Sequence, residues 1–544
     1  MRYKTVFLVI LLFCLKFSFA QKDFKSAEKL FQQGHFFDAL EDYKKALASA
    51  KTEDQKLSAS FKIAECYRHL NDYKQAEEWY AKAIDGNYSD EMAAIYLADS
   101  KKMQGKYDEA IAEYNNFKKE NPDSPAADDG IKSCELAKKW IAKPIAFKIE
   151  NVAAINSADP DFSPVYADKK YTKIYFTSSR AGVMGKSIDP ATGKTYSDIF
   201  EAQMDKAGKF GKATPLPEPV NSKEIEGGSA ITKKIDMMFF ARSVDAGNSQ
   251  LWVSTKVGPL WGEPVKVNFC EETSRYSSPS ISADGTMLFF SANLPGGQGD
   301  NDIWMSKYEK ATKKWGAPTN LGADINTAGN DDYPFITDDG VLYFSSAGYP
   351  GMGGLDIYKA EKTGEGQWGN VTNMKYPINS PGDDFGIVFE GSKEKGFFSS
   401  NREGTKGDVD VWSFVYAPLL LSIEGVVTDC NSKTPIEGAS VKLVGSDGST
   451  AKTKTDATGT YKFAENGATE RFVNAGTSYI ISIVSDPALM TGQSPQGFLK
   501  NETPAKETMV GVSESKKFKD DFCLTPKPEA PPAPVIDEKE KKKK

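Results

Sequence analysis

Asn301-Asp302-Ile303-Trp304, preceded by Phe289-Phe290-Ser291-Ala292-Asn293, is one copy of a unit that recurs along the chain. Asp356-Ile357-Tyr358 follows Tyr343-Phe344-Ser345-Ser346, and Asp410-Val411-Trp412 follows Phe397-Phe398-Ser399-Ser400. Asp198-Ile199-Phe200 follows Tyr175-Phe176-Thr177-Ser178-Ser179. A weaker fifth copy, Gln250-Leu251-Trp252, follows Phe239-Phe240-Ala241-Arg242. Paired aromatic-rich strands repeating at about 50 residues predict a ring of four-stranded antiparallel blades.

A second recurring mark sets the register. Ile155-Asn156-Ser157, Val220-Asn221-Ser222, Val267-Asn268-Phe269, Ile325-Asn326-Thr327 and Ile378-Asn379-Ser380 each precede or separate the aromatic units. The first Asn segment precedes the first aromatic strand, and none follows Trp412. Residues 145–157 therefore have a place as the missing outer strand of the last blade, which would close the ring and remove its open edge. The expectation is an all-β propeller of five blades over 145–416, with six as the alternative. In these repeats the sequence resembles the TolB-type, WD-like propellers of bacterial envelope proteins.

Ahead of the ring, residues 22–142 read as helices. Gly34-His35-Phe36-Phe37-Asp38-Ala39, Asn71-Asp72-Tyr73-Lys74-Gln75-Ala76 and Gly105-Lys106-Tyr107-Asp108-Glu109-Ala110 are three versions of one turn, their alanines 37 and 34 residues apart. Asn121-Pro122-Asp123-Ser124-Pro125 breaks the pattern, and Ala126–Trp140 suits a closing cap helix. Turn and spacing resemble tetratricopeptide (TPR) repeats, which implies an α-helical superhelix whose concave face binds protein partners.

Beyond Ala417-Pro418 the pattern changes. Ile423-Glu424-Gly425-Val426, Pro435-Ile436-Glu437-Gly438-Ala439-Ser440-Val441 and Asp456-Ala457-Thr458-Gly459-Thr460-Tyr461-Lys462-Phe463 resemble the carboxypeptidase regulatory-like domain, implying a small transthyretin-like β-sandwich over 419–525. Residues 526–544, proline-rich and ending Lys-Glu-Lys-Lys-Lys-Lys, have the composition of a disordered tail.

The first residues carry an address. Arg2 and Lys4 lead an apolar run from Val6 to Leu15, and Ser18-Phe19-Ala20 offers small residues for cleavage. This predicts a secretory signal peptide over 1–20 and export to the periplasm, in association with the outer membrane, without a transmembrane span. Its removal takes Lys+Arg from 68 to 65 against 75 Asp+Glu, a net charge of about −10, which gives no reason to expect nucleic acid as a partner. Five of the six cysteines would remain, in a compartment that permits disulfides. The preferred pair is Cys430 with Cys523, at the two ends of the last β domain; Cys66 with Cys134 is a weaker second, and Cys270 is unassigned.

Little in the chain points to catalysis. The two histidines, His35 and His69, both lie in the helical repeats, which excludes a Ser-His-Asp triad within the propeller and leaves 421 onward without a histidine ligand. A glycosidase needs two facing carboxylates, whereas Asp198, Asp302, Asp356 and Asp410 recur at one repeat position. We read them, with Asn156, Asn221, Asn268, Asn326 and Asn379, as structural repeat positions. Asp300-Asn301-Asp302 and Asp408-Val409-Asp410 lack a full calcium loop. Pro295-Gly296-Gly297-Gln298-Gly299 and Pro350-Gly351-Met352-Gly353-Gly354, with no following helix and Lys, are not phosphate loops; they suit a docking surface on one propeller face.

No catalytic, cofactor or metal site is expected. The order of modules resembles Bacteroidetes-type envelope proteins that attach outer-membrane machines to the cell wall, usually through an OmpA-like domain. No such domain occurs in this sequence, so peptidoglycan binding is not carried over. The expectation is a non-catalytic adaptor with protein partners on the repeats and on a propeller face. The alternative is a propeller that binds or hydrolyses glycans.

Overall fold

The computed structural model describes residues 22–243, 248–417, 420–464, 472–474, 476–484, 504–510, 512, 515–528 and 531. The expected signal peptide, and all but four residues of the expected tail, lie outside the described residues. Two compact units divide the chain, Met1–Tyr416 and Ala417–Lys544.

The first unit opens with seven helices: α1 (22–32), α2 (Phe36–Ser49), α3 (Glu53–His69), α4 (Tyr73–Asp85), α5 (Met92–Lys102), α6 (Tyr107–Lys118) and α7 (Pro125–Ala142). Each packs on the next along α2–α7. Ala27, Ala39, Ala64, Ala76, Ala98 and Ala110 are fully buried, and their small side chains let neighbouring helices approach closely. Side-chain caps start three of them: Thr52 accepts from the Gln55 N–H, Asp72 from Gln75, and Ser124 from Ala127, with Pro125 opening α7.

Five antiparallel sheets follow. The first holds β2 (Asp161–Tyr166), β3 (Lys173–Ser178), β4 (Asp198–Gln203) and β5 (Thr214–Pro215). The second holds β6 (Ile225–Ile231), β7 (Met237–Ser243) and β8 (Ser249–Val257), edged by the short β9 (Leu260–Trp261) and β10 (Val265–Lys266). The third holds β11 (Tyr276–Ile281), β12 (Met287–Ala292) and β13 (Asp302–Glu309), edged by β14 (Lys314–Trp315) and β15 (Thr319–Asn320). The fourth is β16 (Asp331–Ile336), β17 (Leu342–Ser346), β18 (Asp356–Gly364) and β19 (Gln367–Asn373). The fifth is β20 (Asp384–Phe389), β21 (Lys395–Ser400) and β22 (Asp410–Tyr416), and its outer strand is β1 (Phe147–Asn151), so that the first and last strands of the ring share one sheet. Inner strands β2, β6, β11, β16 and β20 touch in sequence and β20 returns to β2, which closes the ring.

The paired aromatics hold the ring together. Successive side chains on a strand point to opposite faces, so Phe289 enters the core shared with the fourth sheet and Phe290 the core shared with the second. Phe239 and Phe240 divide the same way, as do Phe397 and Phe398. Each middle strand thus fastens both neighbours, and a buried Phe contributes about 2 kcal/mol.

The asparagines act as a substitute strand. Asn221 accepts the Ile199 N–H and donates to its carbonyl (both 2.9 Å); Asn326 does the same for Ile303 and Asn379 for Ile357. Asn156 clasps Val411 in this way at the other end of the ring. Asn268 does not belong with them. It clasps Trp315 of the third sheet, and the Leu251 N–H is met by the Cys270 thiol instead. In the second sheet the position that meets this N–H is therefore Cys270, two residues beyond Asn268.

The second unit is two sheets about one core. One is built on β23 (Leu421–Asp429) with β26 (Thr460–Phe463), β29 (Lys516–Lys519) and β30 (Phe522–Leu524); the other holds β24 (Ser440–Gly445), β25 (Thr450–Lys454), β27 (Ser478–Val484) and β28 (Ala505–Thr508). Ile423, Val441, Tyr461, Tyr479 and Phe518 meet between them. Cys430 and Cys523 are disulfide-bonded, with Cα atoms 4.8 Å apart. Cys66 and Cys134 are not bonded to each other: each is buried in a separate helical cluster as a free thiol. Among the described residues no helix is long and apolar enough to cross a membrane.

Candidate functional site

The helical repeats carry a ladder that spacing alone did not reveal. The hydroxyls of Tyr43, Tyr80 and Tyr114, all fully buried, donate to Glu28, Glu65 and Asp99, each 15 residues earlier. Cations flank two rungs, Lys62 at 3.5 Å from Glu28 and Arg68 at 3.0 Å from Glu65. A Tyr that recurs with the turn alanine, and an acid one full helix before it, was the signal available in the sequence.

The repeats pack on the ring through their turns. His35 provides no side-chain cap for α2. Its exposed N-terminal N–H groups go elsewhere: Phe37 donates to the Ala191 carbonyl (3.3 Å) and Asp38 to that of Pro190 (3.4 Å). Both carbonyls belong to the insertion between β3 and β4, which also pairs Lys194 with Asp408 (3.0 Å). At the third repeat the Tyr107 hydroxyl donates to the Met352 carbonyl (3.0 Å), and Met352 is fully buried among Tyr107, Tyr114, Cys134 and Ala137. The Pro350–Gly354 loop expected to face a partner is therefore covered by the chain's own helices. The Pro295–Gly299 loop of the third sheet stays exposed, apart from a half-buried Gly299. Between the second repeat's turn and the fifth sheet lies a cleft of about 1200 Å³, with Tyr73, Lys74, Tyr376, Glu403 and Trp412 on its walls.

The four repeat aspartates hold loops. Asp198 accepts the Met184 N–H; Asp302 accepts Gln298, Gly299 and the Asn320 amide; Asp356 accepts Met352 and Gly353; Asp410 accepts Lys406, Gly407 and the Asn151 amide. Each is at most 1% exposed, which keeps it from any substrate. Among the described residues no group of three or more His, Cys, Asp or Glu is arranged to hold a metal ion.

Burial, reinforced by the Asp384 charge, pushes Asp356 up to about 8 despite its two backbone donors. Burial likewise raises Asp198 to about 6. A folded-state value above the unfolded one of about 3.9 means that folding takes up a proton, so this stability is full below pH 4 and is lost as pH rises toward 8. The slope is about 1.4 kcal/mol per pH unit for one proton. Asp356→Asn, which keeps the acceptor and replaces the acid proton by an amide, is expected to flatten melting temperature against pH between 5 and 8. Parallel curves for the two proteins would refute this.

A second set of acids escaped the sequence reading. Asp161, Glu226, Asp331 and Asp384, all fully buried, each cap the N–H of the Ser or Thr four residues before: Ser157, Ser222, Thr327 and Ser380. Three pair with an arginine: Asp161 with Arg180, Glu226 with Arg242 (2.7 Å) and Asp384 with Arg402. Each guanidinium also donates to one or two backbone carbonyls within one or two residues before the clasping Asn and lies over two aromatic rings of its own sheet. In the fourth sheet no Arg is present. Tyr349 takes its place against Phe344 and Tyr358 and donates to the Asp324 carbonyl, and burial raises Asp331 to about 6. Arg180, Arg242 and Arg402, each two to four residues after the paired aromatics, were the legible signal.

Along the ring axis each inner strand bulges once, with two residues opposing one. Ser163, Gly228, Ser278, Tyr333 and Gly386 occupy the bulges with φ of 51°, 54°, 48°, 53° and 63°. A left-handed conformation costs a non-glycine residue about 1 kcal/mol. These residues line a narrow axial channel. At the end nearer the repeats it widens to a mouth of about 330 Å³ beside Asp189 and Ala191 of the insertion.

Residues 24–91 and 93–124 match models of the tetratricopeptide repeat. The helical region is a run of tetratricopeptide repeats. Such repeats imply protein partners, and a large all-β region follows them. No curated protein matches the chain. Among solved structures, the putative TolB from Agrobacterium tumefaciens is 14% identical, the match covering 50% of this chain and 98% of that one at a TM-score of 0.29. An endo-arabinase from Bacteroides thetaiotaomicron is 15% identical over 48% of this chain and 98% of its own, at 0.31. The TPR-containing C-terminal domain of a putative FK506-binding protein from Plasmodium falciparum is 20% identical over 24% and 93%, at 0.22. These likenesses say nothing about activity.

Proposed function

We propose that this chain is a non-catalytic, exported adaptor of a bacterial envelope, acting in the periplasm at the outer membrane within a secretion, motility or assembly machine. In this reading the ring is a five-bladed TolB-like propeller and the second unit a carboxypeptidase regulatory-like sandwich. The observation that carries the proposal is the packing of the repeats on the ring. The first and third turns, with Met352, fix the two as one body, and the cleft at the second turn presents aromatic and charged side chains from both and prolines from the ring. Clefts at domain boundaries are where ligands preferentially bind. The engagement of all four repeat aspartates with backbone donors supports a scaffold over an enzyme.

The test is crosslinked affinity purification of the full chain from envelopes, beside a chain carrying Lys74→Glu and Glu403→Lys. Both side chains are exposed on the cleft and touch no core. An envelope protein should be recovered with the native chain and fall by roughly tenfold with the reversed charges, the effect of about 1.4 kcal/mol. Equal recovery from both would remove the cleft from the contact, and no envelope protein at all would sink the adaptor reading.

A further inference from the structure

The mouth of the axial channel is chemically unlike the cleft. Hydroxyls dominate it: Ser163, Thr177, Ser197, Ser249, Ser277 and Ser278, drawn from the first three sheets. Two have their protons committed outward, Ser197 to the Glu226 carbonyl (2.9 Å) and Ser249 to that of Tyr276 (2.6 Å), which leaves acceptor lone pairs. Ser163 Oγ is buried without a hydrogen-bond partner, and its residue is 7% exposed. Buried hydroxyls normally find partners, so a polar occupant suits this position.

The opposite wall is aromatic. Phe162 and Tyr333 line the mouth, and Phe385 stands behind both, its ring 4.4 Å from that of Tyr333 and 6.3 Å from that of Phe162. Tyr333 holds its left-handed φ of 53° at a position where the second and fifth sheets use glycine. Strain of this kind gathers at ligand sites.

Among the described residues that line the mouth, Asp189 is the one ionisable acid or base besides Tyr333, and its oxygens are taken by the Ala191 N–H (2.9 Å) and the Thr192 hydroxyl (3.1 Å). An anion would meet no countercharge here, and a cation only a carboxylate already engaged. Asp189 and Ala191 also roof the mouth, and the Ala191 carbonyl is the one held by α2. Phe162, Ser277 and Tyr333 remain half-buried, which leaves a way in.

We propose that this mouth binds a neutral, polyhydroxylated ligand, the end of a saccharide chain. One sugar ring would lie against Phe162 and Tyr333 with its hydroxyls donating to the serine wall. The site is separate from the cleft assigned above to a protein partner, and either assignment can fail alone.

Saturation-transfer difference NMR on the full chain tests it. The probes are short gluco-, xylo-, arabino- and chito-oligosaccharides, with an oligogalacturonate and triglycine as the charged and peptidic comparators. Two variants accompany the native protein. Ser277→Leu fills the mouth from a half-buried position. Tyr333→Gly removes the aromatic ring at a backbone angle glycine adopts freely. At least one neutral sugar series should give transfer, weakened by roughly tenfold or more in either variant, with the melting temperature of Ser277→Leu unchanged. If Tyr333→Gly melts early, Ser277→Leu decides. No transfer from any neutral sugar, transfer that survives Ser277→Leu, or binding confined to the galacturonate or triglycine would each overturn the proposal.

Discussion

Replacing Asn156 by alanine is expected to open the ring. Its side chain closes on Val411, accepting the N–H at 3.0 Å and donating to the carbonyl at 2.8 Å, and donates also to Asn151. Alanine would leave the buried Val411 N–H without a partner, while its carbonyl keeps only the Val152 N–H (3.1 Å), and an unpaired buried group costs about 1–3 kcal/mol. Asn379→Ala deletes the same two bonds from Ile357 and supplies the control. The two differ in what they connect. Asn379 joins positions 22 residues apart, whereas Asn156 joins positions 255 apart.

Closing the longer loop costs about 2 kcal/mol more in chain entropy on the logarithmic law. Asn156→Ala should therefore release β1 from β22 as a local opening, ahead of global unfolding. Asn379→Ala should lower stability with the ring still closed. Hydrogen exchange at Val411 to Val415 reads the difference: faster in Asn156→Ala than in Asn379→Ala at matched overall stability. Equal exchange would show that β1 holds without the clasp. An opened β22 would also be an unpaired edge strand, so the same variant is expected to associate on concentration.

The repeating parts were legible because a repeat states the same physics five times. Phe-Phe, Tyr-Phe and the Asp-Ile-Trp strands mark positions where both strand faces are buried, and the unmatched Asn156 segment pointed to β1 as the partner of β22. Where one copy departed, the pattern misled. Asn268 looked like its relatives, yet the Leu251 N–H is met by Cys270. The arginine–carboxylate pairs were missed because three of five sheets have them, and the acid sits far from its Arg in sequence: 19 residues from Asp161 to Arg180. The packing of the repeats on the ring had no local periodicity to announce it. Met352 lies in a glycine-rich loop, and such composition reads as exposed. Its burial depends on Tyr107, 245 residues away.

That dependence makes Met352→Asp the most disruptive single substitution expected in the first unit. Met352 and Gln298 occupy the same loop position in neighbouring sheets, since each has its N–H held by the aspartate four residues on: Asp356 at 2.7 Å and Asp302 at 2.5 Å. Gln298 is exposed and Met352 fully buried. Truncating a buried Met to Ala costs about 2–5 kcal/mol. A carboxylate there would be costlier, because it would be unpaired in an apolar cluster and close to the already buried Asp356 and Asp384. The helices should detach while the sheets, whose cores do not include Met352, stay folded. Calorimetry is expected to show two transitions for Met352→Asp where the native first unit shows one, with new protease cleavage near Lys143-Pro144. Gln298→Asp, the same substitution at the same loop position without a helix above it, should change neither. If both behave alike, Met352 is not the anchor. The cleft between repeats and ring should then survive Met352→Asp, and partner recovery with it. If Met352→Asp alone splits the transition and abolishes recovery, the partner site requires the two modules to be held together.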